Sequence, residues 1–476
     1  MDKNIEGIFV DEQEKTKGVE TLLGDPKKAI LAIAIPTTVA LLAQSANNLV
    51  NAMWVAGLGR DALAAVGIVF PLFFILIAIS NGIGIGAASA IAKRIGAGNR
   101  EEANRTANHA VVLILIMSVV LMALFIPALE PLIRLLGAGA EEGTIQECIN
   151  YAFPFTIFLS VILAVGVLSS ILRSEGAAKR SMYVLILAAL INLVIDPFFI
   201  YDYGLGWGMA GAAVATIIAE SVALLLIIYW YFVKKDLYIR FRFKGFRFES
   251  VIMKDILKVG VPAAFQMMVV SLVVIFMNQI LLMAGGDDGV AIYSADWRLL
   301  SILMLPLMGI AAGIVPVCAA AYGARRYDKI KVAYIYAIKV SVLLMTIIMV
   351  FALVFAPQIV YVFTYDPATE YLRPGMAEFL MISAVFLPFV ALGAAAEALF
   401  QALGMGTRAL ASTIFRNFLL IPVCYIAMVT TSGLTFIWVG STVSEIIGAV
   451  IVGVWGFLIL RTLMKEFHLE KKLTGT

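Results

Sequence analysis

Asp196 is a single carboxylate inside LINLVIDPFFIYDYG (Leu190 to Gly204), a run otherwise suited to hydrocarbon. An ionisable side chain at the centre of a membrane helix costs roughly 2.5–3.5 kcal/mol on insertion scales, so it needs a partner or a task. Asn192 precedes it by four residues and therefore shares its helix face. Pro197 cannot donate to the carbonyl of Leu193, which leaves a free backbone oxygen and predicts a bend. Carboxylate, amide oxygen, hydroxyl and bare carbonyl are ligands for a hard cation such as Na⁺, and a carboxylate removed from water can carry a proton instead. The competing reading is a structural acid hydrogen-bonded to Asn192 and neighbouring helices.

Counting from the ends of the apolar runs brings further residues to the same depth. Asn51 lies six residues before Gly57, Asp196 seven before Tyr203, and Thr216 eight after Gly208. At about 1.5 Å per residue, these positions and Asn192 share one layer of the outer leaflet and are expected to converge. Glu220 is one turn from Thr216 on the same face and is a candidate second acid. In the other half of the chain Glu445, Asn278 and Asn417 form a candidate polar site. Asp296 and Arg298 are read as pairing with each other or with headgroups, and Glu397 is read as the structural partner of Arg416. Within the spans acids outnumber bases, which favours cations.

The elements that must position these residues are membrane helices. The chain has 476 residues, 62% hydrophobic and 14% charged, with mean hydropathy +0.98 and net charge +3. A soluble domain is about 45–50% apolar and 25% charged. Twelve apolar runs of about 20 residues begin near Ala29, Leu63, Ala110, Tyr151, Ser181, Gly208, Ile256, Val290, Ala337, Met376, Ala409 and Leu434. Asp25 is placed to cap the first and Pro26 to open it. Lysine and arginine concentrate in alternate loops; the opposite loops hold only Arg60, Arg134 and Arg373. The rule that cytoplasmic loops retain basic residues predicts both termini inside. Cys148, Cys318 and Cys424 are scattered and suggest neither disulfides nor a metal framework. Residues 1–28 lack the order of a signal peptide.

The halves repeat at an offset of about 225–230 residues: Pro36 with Pro262, RSEGAAKR from Arg173 with QALGMGTR from Gln401, Asn192 and Pro197 with Asn417 and Pro422, and GAAVATIIA from Gly211 with GSTVSEIIG from Gly440. The expected organisation is an all-α membrane protein: a cytoplasmic segment 1–28, a six-helix lobe 29–233, a basic linker 234–255, a second lobe 256–464 and a tail 465–476. The basic, aromatic linker is read as a connector touching lipid headgroups, and nothing else supports nucleic-acid binding. The glycine-rich NGIGIGAASAIAKRIGAGN from Asn81 fits no phosphate loop and is read as small residues at helix contacts. With His109 and His468 the only histidines, no catalytic constellation is present. No Walker A motif exists, so transport would draw on a gradient.

LGDPKKAI, VAGLGRDALAAVG, GAGNREEANR, INLVIDPFFI and GMAGAAVAT resemble the multidrug and toxic compound extrusion (MATE) family, from residue 20 to about 465, and its DinF-type branch most closely. The resemblance implies a V-shaped, monomeric transporter in the plasma membrane, with no cofactor, that exports organic cations or other amphiphiles in exchange for H⁺ or Na⁺. It places Asn192, Asp196 and Thr216 in the family's first-lobe cation site. Asn51 stands where the branch has an aspartate, since this chain reads NLVN. The nearest rival is a lipid-linked oligosaccharide flippase of the same superfamily, which would carry two extra helices and a basic lumen. A channel or an intramembrane enzyme is the alternative of another class.

Overall fold

The computed structural model describes residues 16–474 apart from 366, 368 and 432. Residues 1–15 of the expected N-terminal segment and 475–476 of the tail lie outside the described residues. The described chain is helical: α1 (Lys17–Leu23), α2 (Pro26–Ala56), α3 (Arg60–Gly96), α4 (Arg100–Leu136), α5 (Glu142–Ile157), α6 (Leu159–Ser174), α7 (Ala178–Ile200), α8 (Gly208–Ile228), α9 (Ser250–Leu303), α10 (Leu305–Gly323), α11 (Tyr327–Tyr361), α12 (Arg373–Ala384), α13 (Leu387–Ala402), α14 (Gly406–Thr430) and α15 (Leu434–Thr474). Among the described residues ten helices are long and apolar enough to cross a membrane, or twelve with two bent pairs, α5 with α6 (59°) and α12 with α13 (52°).

Local chemistry explains the boundaries. Asp25 Oδ1 accepts the Lys27 N–H at 3.0 Å, and Pro26 fills the first turn, where no donor is needed. Asn99 Oδ1 accepts from Glu102 N at 3.0 Å and starts α4 ten residues before the apolar run expected from Ala110. At Gly286, with φ 61° and ψ −151°, α9 turns sharply. Leu281 O on the first limb faces Gly289 on the second, so the single helix holds two spans, and the second continues past Met304 into α10. On one face of α11 Leu343, Ile347, Val350 and Val354 are each at least half exposed. A continuous apolar face of this kind suits lipid and not water.

The chain forms two compact units. Among the described residues, unit 1 comprises those up to Leu23 and Val39–Ala264; unit 2 comprises Gly24–Thr38 and those from Phe265 onward. The core of unit 1 includes Val69, Ile133, Cys148, Phe155, Ile200 and Ala212; that of unit 2 includes Met277, Leu300, Phe379, Leu387, Cys424 and Trp438.

The units do not follow chain order, because each takes one end of a helix from the other half. In unit 1 the start of α9 packs on α3: a Cβ on Gly82 would meet Gly260 O at 2.5 Å, and one on Gly86 would collide with Ile256 O. Arg94 and Asp255 pair across the same contact at 2.8 Å. In unit 2 the start of α2 packs on α10, where Cβ atoms on Gly309 and Gly313 would stand 2.9 Å from Ala34 O and 3.1 Å from Ile30 O. Small residues four apart let helix backbones approach. The glycine-rich run from Asn81 is therefore a helix contact.

The basic connector is pinned to unit 1. Leu237, Tyr238 and Ile239 are buried, Arg100 Nε donates to Tyr238 O at 3.1 Å, and Asn108 Nδ2 donates to Arg242 O at 2.8 Å. His109 accepts the Glu249 N–H at 2.8 Å and bonds Arg105 O through its other nitrogen, a structural role.

Candidate ion-coupling site

Three helices of unit 1 build a polar cluster. Asn192 of α7 donates through Nδ2 to Asp196 Oδ1 at 2.5 Å and lies 3.3 Å from Thr216 Oγ1 of α8, which itself donates to Ala212 O at 3.0 Å. Asn47 of α2 donates to Asn192 Oδ1 at 2.9 Å. Asn192 and Asp196 are only 2% and 1% exposed. Pro197 sits inside α7, which continues to Ile200. The C-terminal turns of α2 and α7 are locked by Tyr201, whose hydroxyl donates to Trp54 O at 2.7 Å and occupies the space a side chain at Gly57 would need.

Two acceptors here have no hydrogen-bond partner although buried: Asp196 Oδ2 and Asn51 Oδ1. A buried acceptor without a donor forfeits its hydration, so the arrangement suits an added positive charge or proton. No base pairs with Asp196 among the described residues. The donor set of carboxylate, amide and hydroxyl oxygens fits Na⁺ and fits a proton equally.

The expected convergence of Asn192, Asp196 and Thr216 is therefore present, while Asn51 follows the newly found Asn47 by one turn of α2 without bonding to the cluster. Asn47 is the member the sequence reading missed; its position four residues before Asn51 was the available signal. Glu220 is half-buried one turn beyond Thr216 and is not hydrogen-bonded to these residues.

The candidates of unit 2 do not form one site. Asn417 Nδ2 donates to Thr413 O at 2.7 Å. Arg416 stands between two acids, Nε 3.4 Å from Glu445 Oε2 and Nη1 3.8 Å from Glu397 Oε1, as expected for Glu397. Thr413 Oγ1 donates to Glu397 at 3.2 Å and accepts from Gln266 Nε2 at 2.7 Å. Asn278 sits apart, lining a cavity of about 370 Å³ between the limbs of α9 with Asp287 and Ser294. The expected pairing of Asp296 with Arg298 is also absent: Asp296 is fully buried with both oxygens unpartnered, while Arg298 is exposed. Residues two apart on a helix do not face each other.

With this geometry in hand, comparison with known proteins is informative. The MatE family model matches residues 36–198 and 262–426, one copy in each repeat. The multidrug export protein MepA of Staphylococcus saprophyticus is 27% identical over 410 residues, covering 84% of this chain and 86% of that protein. A crystal structure of MATE in complex with MaL6 superposes with a TM-score of 0.92 at 37% identity, covering 95% of this chain and all of that one. A MOP superfamily transporter from Pyrococcus furiosus gives 0.91 at 37% identity, covering 94% and 99%. Together the two family matches, the duplicated span pattern and the superposition establish that this chain belongs to the MatE family of membrane transporters.

Proposed function

We propose that the protein is a secondary active exporter of the plasma membrane that exchanges H⁺ or Na⁺ for small organic cations and other amphiphilic compounds. The observation that carries this reading is Asp196, buried inside a span with one oxygen unpartnered and no base beside it. An acid in that state is stabilised when a cation or proton arrives and destabilised when it leaves. A ligand that binds one conformation better shifts the population toward it, so filling and emptying this site would drive the alternation that moves substrate. Asn192 holds the carboxylate in place, Asn47 fixes Asn192, and Thr216 supplies a hydroxyl oxygen. The likeness to MepA, a multidrug export protein, supports the substrate class. The lysine and arginine distribution supports cytoplasmic termini.

The test is export of a fluorescent organic cation from proteoliposomes under an imposed Na⁺ or pH gradient, for the parent, Asp196→Asn and Asn51→Asp. Transport that follows one gradient and disappears in Asp196→Asn supports the antiporter and names its ion. Transport indifferent to both gradients in the parent, with coupling gained only in Asn51→Asp, means that the parent is uncoupled and removes the reading.

A further inference from the structure

An aromatic trio joins three helices of unit 2. Phe379 of α12 and Trp438 of α15 meet edge to face with centroids 4.5 Å apart, and Tyr293 of α9 lies 5.8 Å from Phe379 and 6.4 Å from Trp438. All three rings are buried. They set the register of spans eight, ten and twelve, which run in the same direction because spans alternate. One turn further along each helix stands a polar residue: Asp296 after Tyr293, Ser383 after Phe379 and Thr442 after Trp438. Residues three or four apart share a helix face, so a carboxyl and two hydroxyls follow the rings at one level.

Asp296 is 0%, Ser383 1% and Thr442 5% exposed. Thr442 Oγ1 reaches Ile382 O at 3.4 Å, which ties α15 to α12 at this level. The break after Ala384 lies immediately beyond, where Val385 N and Phe386 N turn back to the carbonyls of Ile382 and Ser383. Broken helices place main-chain carbonyls where ions bind in membrane proteins. Neither oxygen of Asp296 has a hydrogen-bond partner.

The charged and titratable groups on the packed elements do not neutralise it. Arg416 of α14 is held by Glu397 of α13 and Glu445 of α15, Glu378 of α12 is half-buried and accepts from Thr435, and Tyr293 and Cys424 are uncharged in their ordinary state. An ionised carboxylate enclosed without a partner is strongly unfavourable. The geometry points to a monovalent-cation site, for H⁺ or Na⁺, formed by Asp296, Ser383 and Thr442 and separate from the Asp196 cluster. Its occupancy does not depend on the transport cycle proposed above.

Infrared spectroscopy of the purified full-length protein reads the carbonyl band of a protonated carboxylic acid, and radioactive Na⁺ reads bound sodium. The parent should show one band that Asp296→Asn lacks, lost either on adding Na⁺ at constant pH and ionic strength or only on raising the pH. The first result identifies a Na⁺ site and the second a proton site. If no band is seen, a Na⁺ site still requires Asp296→Asn to bind one Na⁺ fewer. Equal spectra with equal Na⁺ binding overturn the proposal, as does a band that neither Na⁺ nor high pH removes. Should Asp296→Asn fail to fold, Ser383→Ala and Thr442→Val keep the carboxyl and should each displace its band or lower its Na⁺ binding; no change in either variant removes the hydroxyls from the site and overturns it.

Discussion

Asn192 and Asn417 occupy equivalent places in the two repeats, 225 residues apart, yet their surroundings differ in charge. Beside Asn192 is Asp196, with no base. Beside Asn417 is Arg416, held between Glu397 and Glu445. At this offset the position of Asp196 is filled by Ile421, and that of Arg416 by Ile191. The guanidinium gives the second network a permanent positive charge between its two acids. The first network lacks one, which leaves its charge to be balanced by something that can come and go.

The largest effect is expected from removing the fixed charge. Arg416→Leu strands two acids in unit 2, and breaking a buried pair by removing one partner costs about 3–5 kcal/mol. Thermal unfolding in detergent should show a large loss, and an unchanged midpoint would mean that the Arg416 network is not structural. Asp196→Asn should do the reverse, keeping unfolding within about 1 kcal/mol of the parent while gradient-driven export falls to background. If its stability collapses with its transport, the difference between the two networks disappears.

A smaller change should follow Asn47→Leu, which removes the donor to Asn192 Oδ1. The loss of one net hydrogen bond is worth about 1 kcal/mol, so affinity for the coupling ion should weaken several-fold, read as a shifted half-saturating concentration in the export assay. An unshifted value would place Asn47 outside the site.

The smallest effect concerns pH. Glu175, in the turn between α6 and α7, accepts from Tyr231 Oη at 2.7 Å and from Ile239 N at 2.9 Å and so clasps the connector. Burial pushes its carboxyl up to about 7, against the favourable bonds and the charge of Arg180. The folded form then binds more protons than the unfolded one between about 4.5 and 7, so stability is present below that window and is lost as pH rises through it. Hydrogen exchange at Tyr238 and Ile239, corrected for intrinsic rate, should therefore quicken over this range in the parent and stay flat in Glu175→Gln. The equivalent turn of unit 2 carries the buried Leu403 and should show no such dependence; a matching response there would locate the titration elsewhere.

Much of this was legible in the residues because membrane helices impose depth as well as face. Asn192, Asp196 and Thr216 emerge from counting along apolar runs, and Asp25, Pro26 and the repeats mark the helices that hold them. Asn47 escaped although, ten residues before Gly57, it matches the depth of Asn192, because depth alone does not show which polar side chain of α2 faces α7. The mutual pairing of Asp296 with Arg298 was suggested by proximity in sequence, although two residues of helix turn them to opposite faces. The unit boundaries at Thr38 and Ala264 were invisible because repeats suggest contiguous halves. Only the contacts of Gly82, Gly86, Gly309 and Gly313 reveal which helix end belongs where.

That exchange of helix ends bears on how the polypeptide can be divided. A gene cut at Gly245 would encode one fragment without the Ser250–Ala264 stretch that α3 requires, and another without the Gly24–Thr38 stretch that α10 requires. Each product made alone would expose a glycine-lined groove and be cleared by quality control. Made together in one cell, the two would complement each other and restore a whole transporter.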